Sequence, residues 1–403
     1  MNFEMVNEKP AVDLAVSIVV IGAGGGGSNA VDGMIECGIK GVKFVAVNTD
    51  AQHLSRSKAE IKLQIGAKIT GGRGAGGKPE TGAEAATEDK EQIAKILQGA
   101  NMVFVTAGMG GGTGTGSAPI IAQVAKDMGA LTVAVVTTPF DFEMSYRMEL
   151  AKEGIENLRG AADTLIVIPN QKLLSNVDKK TSMPEAFRKA DDILRQGVQG
   201  ISDIILETGQ IKIDFADAEA VMRNQGDALM AIGYGSGDNR VEEAVSGVLD
   251  NPLLEDTSIK GAKRALIYVV GNEDLPMTEF EDIIKRITAD MDKSAIIKFG
   301  MYLHSGMGND IRVTVIASGF TGEVQKKNLS AVKPAKTELI SGTEFNSIVG
   351  QAQHQNVNVD SLPPRGKRDE YRYPADDLDT PTVIRDGRFF NFPIDNRPKA
   401  QPY

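Results

Sequence analysis

The sequence predicts an α/β fold, in which a parallel sheet covered by helices is followed by a second α/β region and a flexible tail. In the first half, short apolar runs alternate with stretches of helical periodicity. Two of these runs end in glycine-rich segments that lead directly into a helical pattern. From Thr321 onward the periodicity is lost, and eight of the 16 prolines lie in this last part. We therefore expect a folded body at about residues 11–320.

The first part of the body contains five candidate strands. They are apolar runs with the length of a buried strand, at residues 16–21, 42–47, 102–106, 131–136 and 164–168. Helical patterns lie between them, for example at residues 87–97 and 118–126. Because buried strands separated by helices are typical of parallel sheets, these elements predict one such sheet with helices on both faces.

A long amphipathic stretch follows at residues 184–207. Its apolar side chains recur at helical spacing and are Phe187, Ile193, Leu194, Val198, Ile201 and Ile205. At 1.5 Å per residue this helix would span roughly 35 Å, the width of a domain. Further strands are predicted at residues 265–270, 295–303 and 311–317, with a helix at 278–291. The body is thus predicted to be two α/β domains joined by one long helix.

Composition excludes several classes of protein. The 44 Lys and Arg against 54 Asp and Glu give a net charge of -10, which argues against a nucleic-acid partner. Cys37 is the only cysteine, so internal disulfides and cysteine-based zinc sites are excluded, and three histidines disfavour a multi-histidine metal centre. No run approaches the ~20 apolar residues of a membrane span, and the polar N-terminus does not resemble a signal peptide. We expect a cytoplasmic protein without direct membrane insertion.

The first chemical motif is a glycine-rich turn at residues 21–30, IGAGGGGSNA. Gly22, Gly24 and Gly27 satisfy G-x-G-x-x-G, and Asp50 follows Gly27 by 23 residues. Glycines at such a turn let backbone N–H groups and a helix N-terminus approach a phosphate. The same pattern is typical of dinucleotide-binding domains. An NAD-dependent oxidoreductase therefore remains open on this motif, as does a purely structural tight turn.

A second glycine-rich turn, AGMGGGTGTG at residues 107–116, again joins an apolar strand to a helical pattern. A dinucleotide-binding fold does not need a second glycine-rich phosphate-binding turn. A nucleoside triphosphate does, because it presents more negative oxygens than one helix N-terminus can bind. A third glycine cluster at residues 71–82 offers Arg73 and Lys78 as countercharges. It is not a Walker loop, because Pro79 stands where the Mg²⁺-binding hydroxyl must be.

A resemblance to a known family rests on eight segments, GAGGGGSNA, AVNTDAQ, AGMGGGTGTGSAP, TTPFDFE, IPNQKLL, AFRKADDIL, VQGISDII and DFADAEAVM. In this order they resemble the FtsZ family of cell-division GTPases, whose tubulin superfamily shares the signature GGGTGTG. The implied fold is tubulin/FtsZ-like. Its parts are a flexible N-terminal segment (1–15), a Rossmann-like GTP-binding domain (16–183), a central helix (184–208), a smaller C-terminal GTPase-activating domain (209–320), a flexible linker (321–377) and a partner-binding peptide with an extension (378–403).

The resemblance also implies which residues bind GTP or GDP. Two runs would hold the phosphates, and later residues would contact the sugar and the base. The set is Gly25, Gly26, Gly27, Ser28, Asn29, Gly111, Gly112, Thr113, Gly114, Thr115, Thr138, Glu143, Arg147, Asn170, Phe187, Asp191 and Asp192. Within it, Asn170 and Asp192 match the base-reading positions, since a carboxylate can accept from guanine N1–H and N2–H₂ together.

Three of these assignments have alternatives. Glu143 and Arg147, which match sugar and phosphate contacts, have the spacing of an ordinary surface ion pair on a helix. Phe187, which would cover the base, could be a core residue. Asp191 stands where many family members have Asn, so we expect it to matter less than its neighbour.

Catalysis is assigned by the resemblance to residues 209–219, GQIKIDFADAE. Asp214 and Asp217 would face the γ-phosphate of the next subunit and polarise the attacking water. Two carboxylates three residues apart at a helix start are otherwise helix caps, and this alternative stays open. Lys212 replaces the usual Asn of the family pattern. A site shared head to tail does not close on itself and produces open filaments.

The tail carries one motif, LDTPTVIR at residues 378–385, which resembles the family's C-terminal peptide. Asp379, Pro381, Ile384 and Arg385 would bind membrane-tethering and other division proteins. An unstructured end is the alternative, and no role is evident for residues 386–403.

The sequence as a whole predicts a GTP-dependent cytoskeletal protein that polymerises into the division ring. Its GTPase would depend on assembly, with Mg²⁺ on the nucleotide phosphates and a monovalent cation nearby as a further candidate. A GTP-binding scaffold of the same fold that does not hydrolyse GTP is the other interpretation.

Overall fold

The computed structural model of the chain describes residues 16–173, 182–207, 209–251 and 259–320. The N-terminal segment, the linker and the C-terminal peptide predicted above lie outside these ranges, and so do Asp379, Pro381, Ile384 and Arg385.

The first part of the described chain alternates strands and helices. In order they are β1 (Ile18–Ala23), α1 (Gly24–Glu36), β2 (Val42–Asn48), α2 (Ala51–Arg56), β3 (Ile61–Gln64), α3 (Ala67–Thr70), α4 (Pro79–Glu88), α5 (Lys90–Leu97), β4 (Met102–Gly108), α6 (Thr113–Asp127), β5 (Leu131–Thr138), α7 (Ser145–Ala161), β6 (Thr164–Pro169) and α8 (Asn170–Leu173).

The second part begins with the long helix. Its elements are α9 (Met183–Leu206), α10 (Phe215–Met222), β7 (Gly226–Ser236), α11 (Arg240–Leu249), β8 (Arg264–Gly271), α12 (Met277–Thr288), β9 (Ile296–Leu303) and β10 (Asp310–Ser318). All eight predicted strands are present, and their ends differ from the prediction by at most two residues.

The described strands form one ten-stranded sheet in the order β3-β2-β1-β4-β5-β6-β7-β10-β8-β9. The six strands β1 to β6 are parallel to their neighbours, which confirms the parallel arrangement predicted for β1, β2, β4, β5 and β6. The short strand β3 at the edge of the sheet was not predicted. Beyond them the sheet is mixed, because β10 runs antiparallel to both β7 and β8. A short parallel pairing of β6 with β7, from Thr164↔Gly226 to Ile166↔Ala228, makes the sheet continuous. The two regions are therefore joined by strand pairing as well as by the long helix.

Helices cover both faces of the first six strands, also as predicted. On β1, Ile18 and Val20 pack into the cluster that contains Val198 of α9. The alternate residues of β1 pack on the other face, in a cluster that contains Ile121 of α6. A third cluster, with Ile283 of α12, lies in the C-terminal region. The first cluster also contains side chains of β8 and β10, so α9 packs against both regions.

Besides β3, two elements differ from the sequence prediction. The helix expected at residues 87–97 is interrupted at Asp89, because residues 87 and 88 end α4 and α5 forms the remainder. The Asp89 carboxylate accepts from Gly66 N–H at 2.7 Å. Strand β7 was not predicted, since its glycines interrupt the apolar pattern. A Cβ atom at Gly233 or Gly235 would overlap the backbone of α11, which packs directly on the strand. Among the described helices, none combines the length and apolarity needed to cross a bilayer.

Candidate nucleotide-binding site

Two helix N-termini meet at the carboxyl edge of the sheet. Helices α1 and α6 follow the adjacent strands β1 and β4, so both begin at the same edge. Neither has a side-chain cap, and neither carries an acidic residue in its first turn. The two turns touch, because a Cβ atom at Gly24 would lie 2.6 Å from Gly114 N. Two uncapped helix ends without a competing carboxylate form a site for an anion with several phosphate groups.

The glycines of these turns serve mainly for close backbone packing. Gly24 has a φ of +70°, in the region that favours glycine. A Cβ atom at Gly27 would overlap the carbonyl of Thr106. One at Gly112 would lie 2.8 Å from Lys78 N and 2.9 Å from Ala75 Cβ. The third glycine cluster, residues 71–82, therefore packs against the second turn, and it supports the cradle from outside.

Pro79 is the first residue of α4, where a missing N–H costs nothing. Lys78, proposed as a countercharge, is exposed at the N-cap position of this helix. The cluster thus combines a helix start with the contacts that hold the second turn in place.

The hydroxyl groups of the predicted phosphate residues fall into two groups. Thr113 Oγ1 lies 2.6 Å from Thr49 Oγ1, and Thr115 Oγ1 accepts from Gly110 N–H at 2.8 Å. These hydroxyls brace the cradle. Ser28 is fully buried, and its Oγ has no hydrogen-bond partner among the described residues. Because a buried polar atom is costly to leave unpaired, Ser28 is suited to meet a ligand.

His53, in α2, also faces the first turn. Asn48 Oδ1 accepts from Asp50 N–H at 3.1 Å, so the Asn48 amide nitrogen donates to His53 Nδ1 at 3.3 Å. This leaves Nε2 as the proton-bearing nitrogen. Nε2 lies 3.8 Å from the position of a Cβ atom on Gly25, so the donor is directed at the first turn. This contact was not predicted from the sequence. The one feature that could have indicated it is a histidine close to the end of the second predicted strand.

Glu143 and Arg147 lie beside the second turn. Arg147 forms an ion pair with Glu143, as the surface-pair alternative expected. Glu143 also accepts from Phe140 N–H at 3.0 Å, and Arg147 Nε donates to the carbonyl of Gly110 at 3.4 Å. The pair is therefore connected to the loop that precedes the cradle, which a free surface pair would not be. Thr138, at the end of β5, is half-buried at the same edge.

The predicted base-binding residues lie on α8 and α9. Asn170, the first residue of α8, is buried, and its Oδ1 has no partner among the described residues. Phe187 is 39% exposed and packs edge to face on Phe140, with ring centroids 5.3 Å apart. It is thus neither a core residue nor an isolated one. It belongs to an aromatic cluster that includes Phe142, and the rings of Phe142 and Phe187 are both partly exposed.

The two neighbouring carboxylates of α9 have different environments. Asp192 accepts from Arg195 Nε at 2.6 Å and from Gln196 Nε2 at 2.7 Å, so both oxygens are engaged on their own helix. Asp191 is more buried, and desolvation raises its pKa to about 7. The carboxylate with the raised pKa is therefore that of Asp191, the residue that we expected to contribute less to base binding than Asp192. Asn29, in the second turn of α1, is exposed.

The two predicted catalytic acids lie at the other edge of the sheet. Asp214 is the N-cap of α10, and its Oδ1 accepts from Asp217 N–H at 2.7 Å. The capping alternative is therefore realised for Asp214, which keeps its second oxygen exposed. The last residue of α10, Met222, accepts through its carbonyl from the Thr164 hydroxyl. Thr164 starts β6, whereas the nucleotide-binding loops follow the strand ends.

This arrangement separates the acids from the cradle within one chain. The six residues of β6 span about 20 Å between Thr164 and Asn170. The sequence reasoning missed one residue next to the acids: Lys298 Nζ of β9 lies 2.6 Å from Asp217 Oδ1. The only signal was a single lysine within an apolar strand pattern. In the described part of the chain, no group of three or more His, Cys, Asp or Glu side chains could hold a metal ion.

The fold and the two-helix cradle define a tubulin-like GTPase. A model of the Tubulin/FtsZ family GTPase domain matches residues 17–178, and a model of the FtsZ family C-terminal domain matches residues 226–321. The chain belongs to the FtsZ family, whose members are polymerising GTPases of the cytoskeleton. Binding of GTP and GDP and hydrolysis of GTP follow from the matched GTPase domain. The oxidoreductase alternative has no support from these matches.

Solved structures agree with the family. An FtsZ dimer from M. jannaschii is 46% identical, with a TM-score of 0.72, over 75% of this chain and 88% of that chain. A mutant of M. jannaschii FtsZ, with tyrosine in place of one tryptophan, is 45% identical, with a TM-score of 0.72, over 76% and 91%. CetZ1 from Haloferax volcanii, at 20% identity and a TM-score of 0.63, covers 79% of this chain and 100% of its own. This last likeness is one of fold alone.

Proposed function

We propose that this chain hydrolyses GTP at a site that is completed only when a second copy docks head to tail. The observation that carries the proposal is the placement of the two half-sites. The cradle for the phosphates lies at the carboxyl edge of the sheet, and Asp214 and Asp217 lie near its amino edge. One chain cannot bring them together, whereas stacking of identical copies brings the acids of one onto the cradle of the next.

The roles of the individual residues are part of this proposal and agree with where their side chains lie. The N–H groups of the first turns of α1 and α6 hold the phosphates, together with Ser28. Phe187 covers the guanine, and Asn170, whose Oδ1 has no partner among the described residues, reads its edge. Asp192 joins it by accepting from the base in addition to, or in place of, its hydrogen bonds from Arg195 and Gln196. Arg147 is placed beside the second turn to offset phosphate charge. The predicted Mg²⁺ would be held by the phosphate oxygens, and a monovalent cation beside it is part of the same proposal.

Chemistry requires a water molecule aligned with the γ-phosphorus. The exposed oxygen of Asp214 and the carboxylate of Asp217 from the docked copy orient this water and attract its proton as the oxygen–phosphorus bond forms. The bond from the γ-phosphorus to the bridging oxygen breaks, and GDP leaves with that oxygen. The positive helix ends stabilise the charge that develops on the phosphate oxygens.

A contact between two different surfaces repeats without closing, so the predicted assembly is an open filament. The similar M. jannaschii protein is described as a dimer, which agrees with association between copies. We propose that such filaments form the division ring, and that residues 378–385 bind the proteins that tether it to the membrane.

The test measures GTP turnover and light scattering over a range of protein concentrations. A shared site requires both signals to rise above the same threshold. GTP turnover without light scattering would contradict the proposal of a shared site. Light scattering without turnover would favour a GTP-binding scaffold that does not hydrolyse GTP.

A further inference from the structure

The loop that carries the proposed catalytic acids is built on strand β9. Backbone hydrogen bonds of 3.0 and 3.2 Å join Ile211 to Met301 in both directions. Gln210 Oε1 accepts from Leu303 N–H at 3.0 Å. Ile213 packs against Gly300, where a Cβ atom would lie only 3.0 Å from its side chain. These contacts hold residues 210–213 against β9, which is the last strand in the order of the described sheet.

Lys298 extends from the same strand to the second acid. Its Nζ lies 2.6 Å from Asp217 Oδ1, within the range of a charge-assisted hydrogen bond. The hydrogen bond and charge of Asp217, with a smaller effect of Asp214, raise the pKa of Lys298, so the side chain is a cation at neutral pH. Lys298 thus fixes one carboxylate and lies in the field of both.

This ion pair contributes little to the stability of the fold. Lys298 is 37% exposed and Asp217 is 32% exposed, and exposed pairs of this kind are weak in water. Their surroundings change if the loop docks on a triphosphate, because exclusion of water lowers the local dielectric constant and strengthens each charge interaction. Two carboxylates facing the γ-phosphate would then repel it strongly, and a cation bound to one of them offsets that repulsion.

We propose that Lys298 is a positioning residue of the shared site, which orients the Asp217 carboxylate and offsets the charge that this loop brings to the γ-phosphate. The inference rests on the proposed function. It differs from the role of Lys212, which is exposed on the loop and forms no ion pair with either acid in the part of the chain that the structure describes. Lys298 acts through Asp217 and does not react itself.

The test compares Lys298→Met with Lys298→Arg in the full chain. The matched control is Lys285→Met in α12, which removes another exposed lysine that lies 2.6 Å from a carboxylate, that of Glu281. We expect Lys298→Met to raise the critical concentration and lower the turnover per assembled subunit by about fivefold each, the factor that corresponds to 1 kcal/mol. The affinity of the unassembled subunit for GTP stays unchanged, because the cradle of the same chain lies at the other edge of the sheet.

Three further results are expected. Lys298→Arg restores most of the activity, added salt reduces the difference in critical concentration, and Lys298→Met has no further effect on turnover in an Asp217→Ala background. The inference is overturned if Lys298→Met behaves like Lys285→Met, or if Lys298→Arg is as impaired as Lys298→Met. If Asp217→Ala hydrolyses GTP at the normal rate, the proposed function is wrong. This result does not involve a Lys298 variant, so it is distinguishable from failure of the inference about Lys298.

Discussion

The hydroxyl groups of Thr49 and Thr113 lie 2.6 Å apart and connect the end of β2 to the first residue of α6. Thr49 is fully buried and Thr113 is half-buried. The two residues are 64 positions apart in the chain and lie in two separate sequence motifs. Their contact makes the N-terminus of α6 part of a rigid cradle that also includes α1.

The dependence of hydrolysis on assembly is the first prediction. Because Asp217 and the cradle lie at different edges of the sheet, a dilute subunit has no complete site. The GTPase rate per subunit is expected to rise from near zero above a critical protein concentration. The measurement is phosphate release across a dilution series. A specific rate that stays constant down to the monomer would contradict the shared site.

Asp217→Ala is expected to separate assembly from chemistry. The variant keeps the cradle and should bind GTP and assemble, while losing the group that orients water, which typically costs about 10²- to 10⁴-fold in rate. Sedimentation and phosphate release measure the two properties. Glu281→Ala, which removes an exposed carboxylate from α12, serves as control and should behave normally. If Asp217→Ala lost GTP binding, its assigned role would be wrong.

Gly112→Ser is expected to impair GTP binding by distorting the cradle. The new Cβ atom would lie 2.8 Å from Lys78 N and 2.9 Å from Ala75 Cβ, so the supporting loop must move. Overpacking of this kind costs about 1–3 kcal/mol of stability. Gly160→Ser in α7 is the matched control, since no atom lies within 4 Å of its Cβ position. Equal thermal stability and GTP affinity in both variants would contradict this packing argument.

Asp191 is expected to make the fold less stable as the pH rises. Burial raises its pKa from the ordinary value of 3.8 to about 7, so between these values the folded state binds more protons than the unfolded state. The free energy of unfolding therefore falls as pH increases from about 4 to 7 and is constant above that range. Asp191→Asn should increase the free energy of unfolding by about 1–3 kcal/mol at pH 8, and the Tm should rise with it. At pH 4 both quantities should be unchanged. A uniform change at both pH values would exclude the titration.

Lys212→Asn tests the other lysine of the catalytic loop. An ammonium has three donors and no acceptor, whereas an Asn carbonyl could help to hold a cation near Asp214 and Asp217. We expect turnover of the natural chain to depend less on potassium than turnover of the variant, while Mg²⁺ remains necessary for both. The GTPase rate is measured against KCl at constant ionic strength. Superimposable curves would place Lys212 outside the site.

Much of the architecture could be predicted because it depends on local pattern. The eight expected strands and the long helix are present, since apolar runs and helical periodicity reflect burial along a single element. Strand β7 was missed for a tertiary reason: Gly233 and Gly235 read as breaks, but they are required where α11 packs on the strand. The break at Asp89, within the helix predicted at residues 87–97, likewise coincides with a tertiary contact, the hydrogen bond from Gly66 N–H to the Asp89 carboxylate.

By itself, the sequence determined the elements, the two glycine-rich turns and the family, because each rests on the types and spacing of residues along one stretch of chain. Only the tertiary structure decided which groups face each other. In the folded chain, both oxygens of Asp192 accept hydrogen bonds, whereas the carboxylate of Asp191 is desolvated. Lys298 of β9 contacts Asp217, which is 81 residues away in the chain. These relationships depend on how distant strands and helices pack, and no local pattern encodes the distance between their side chains.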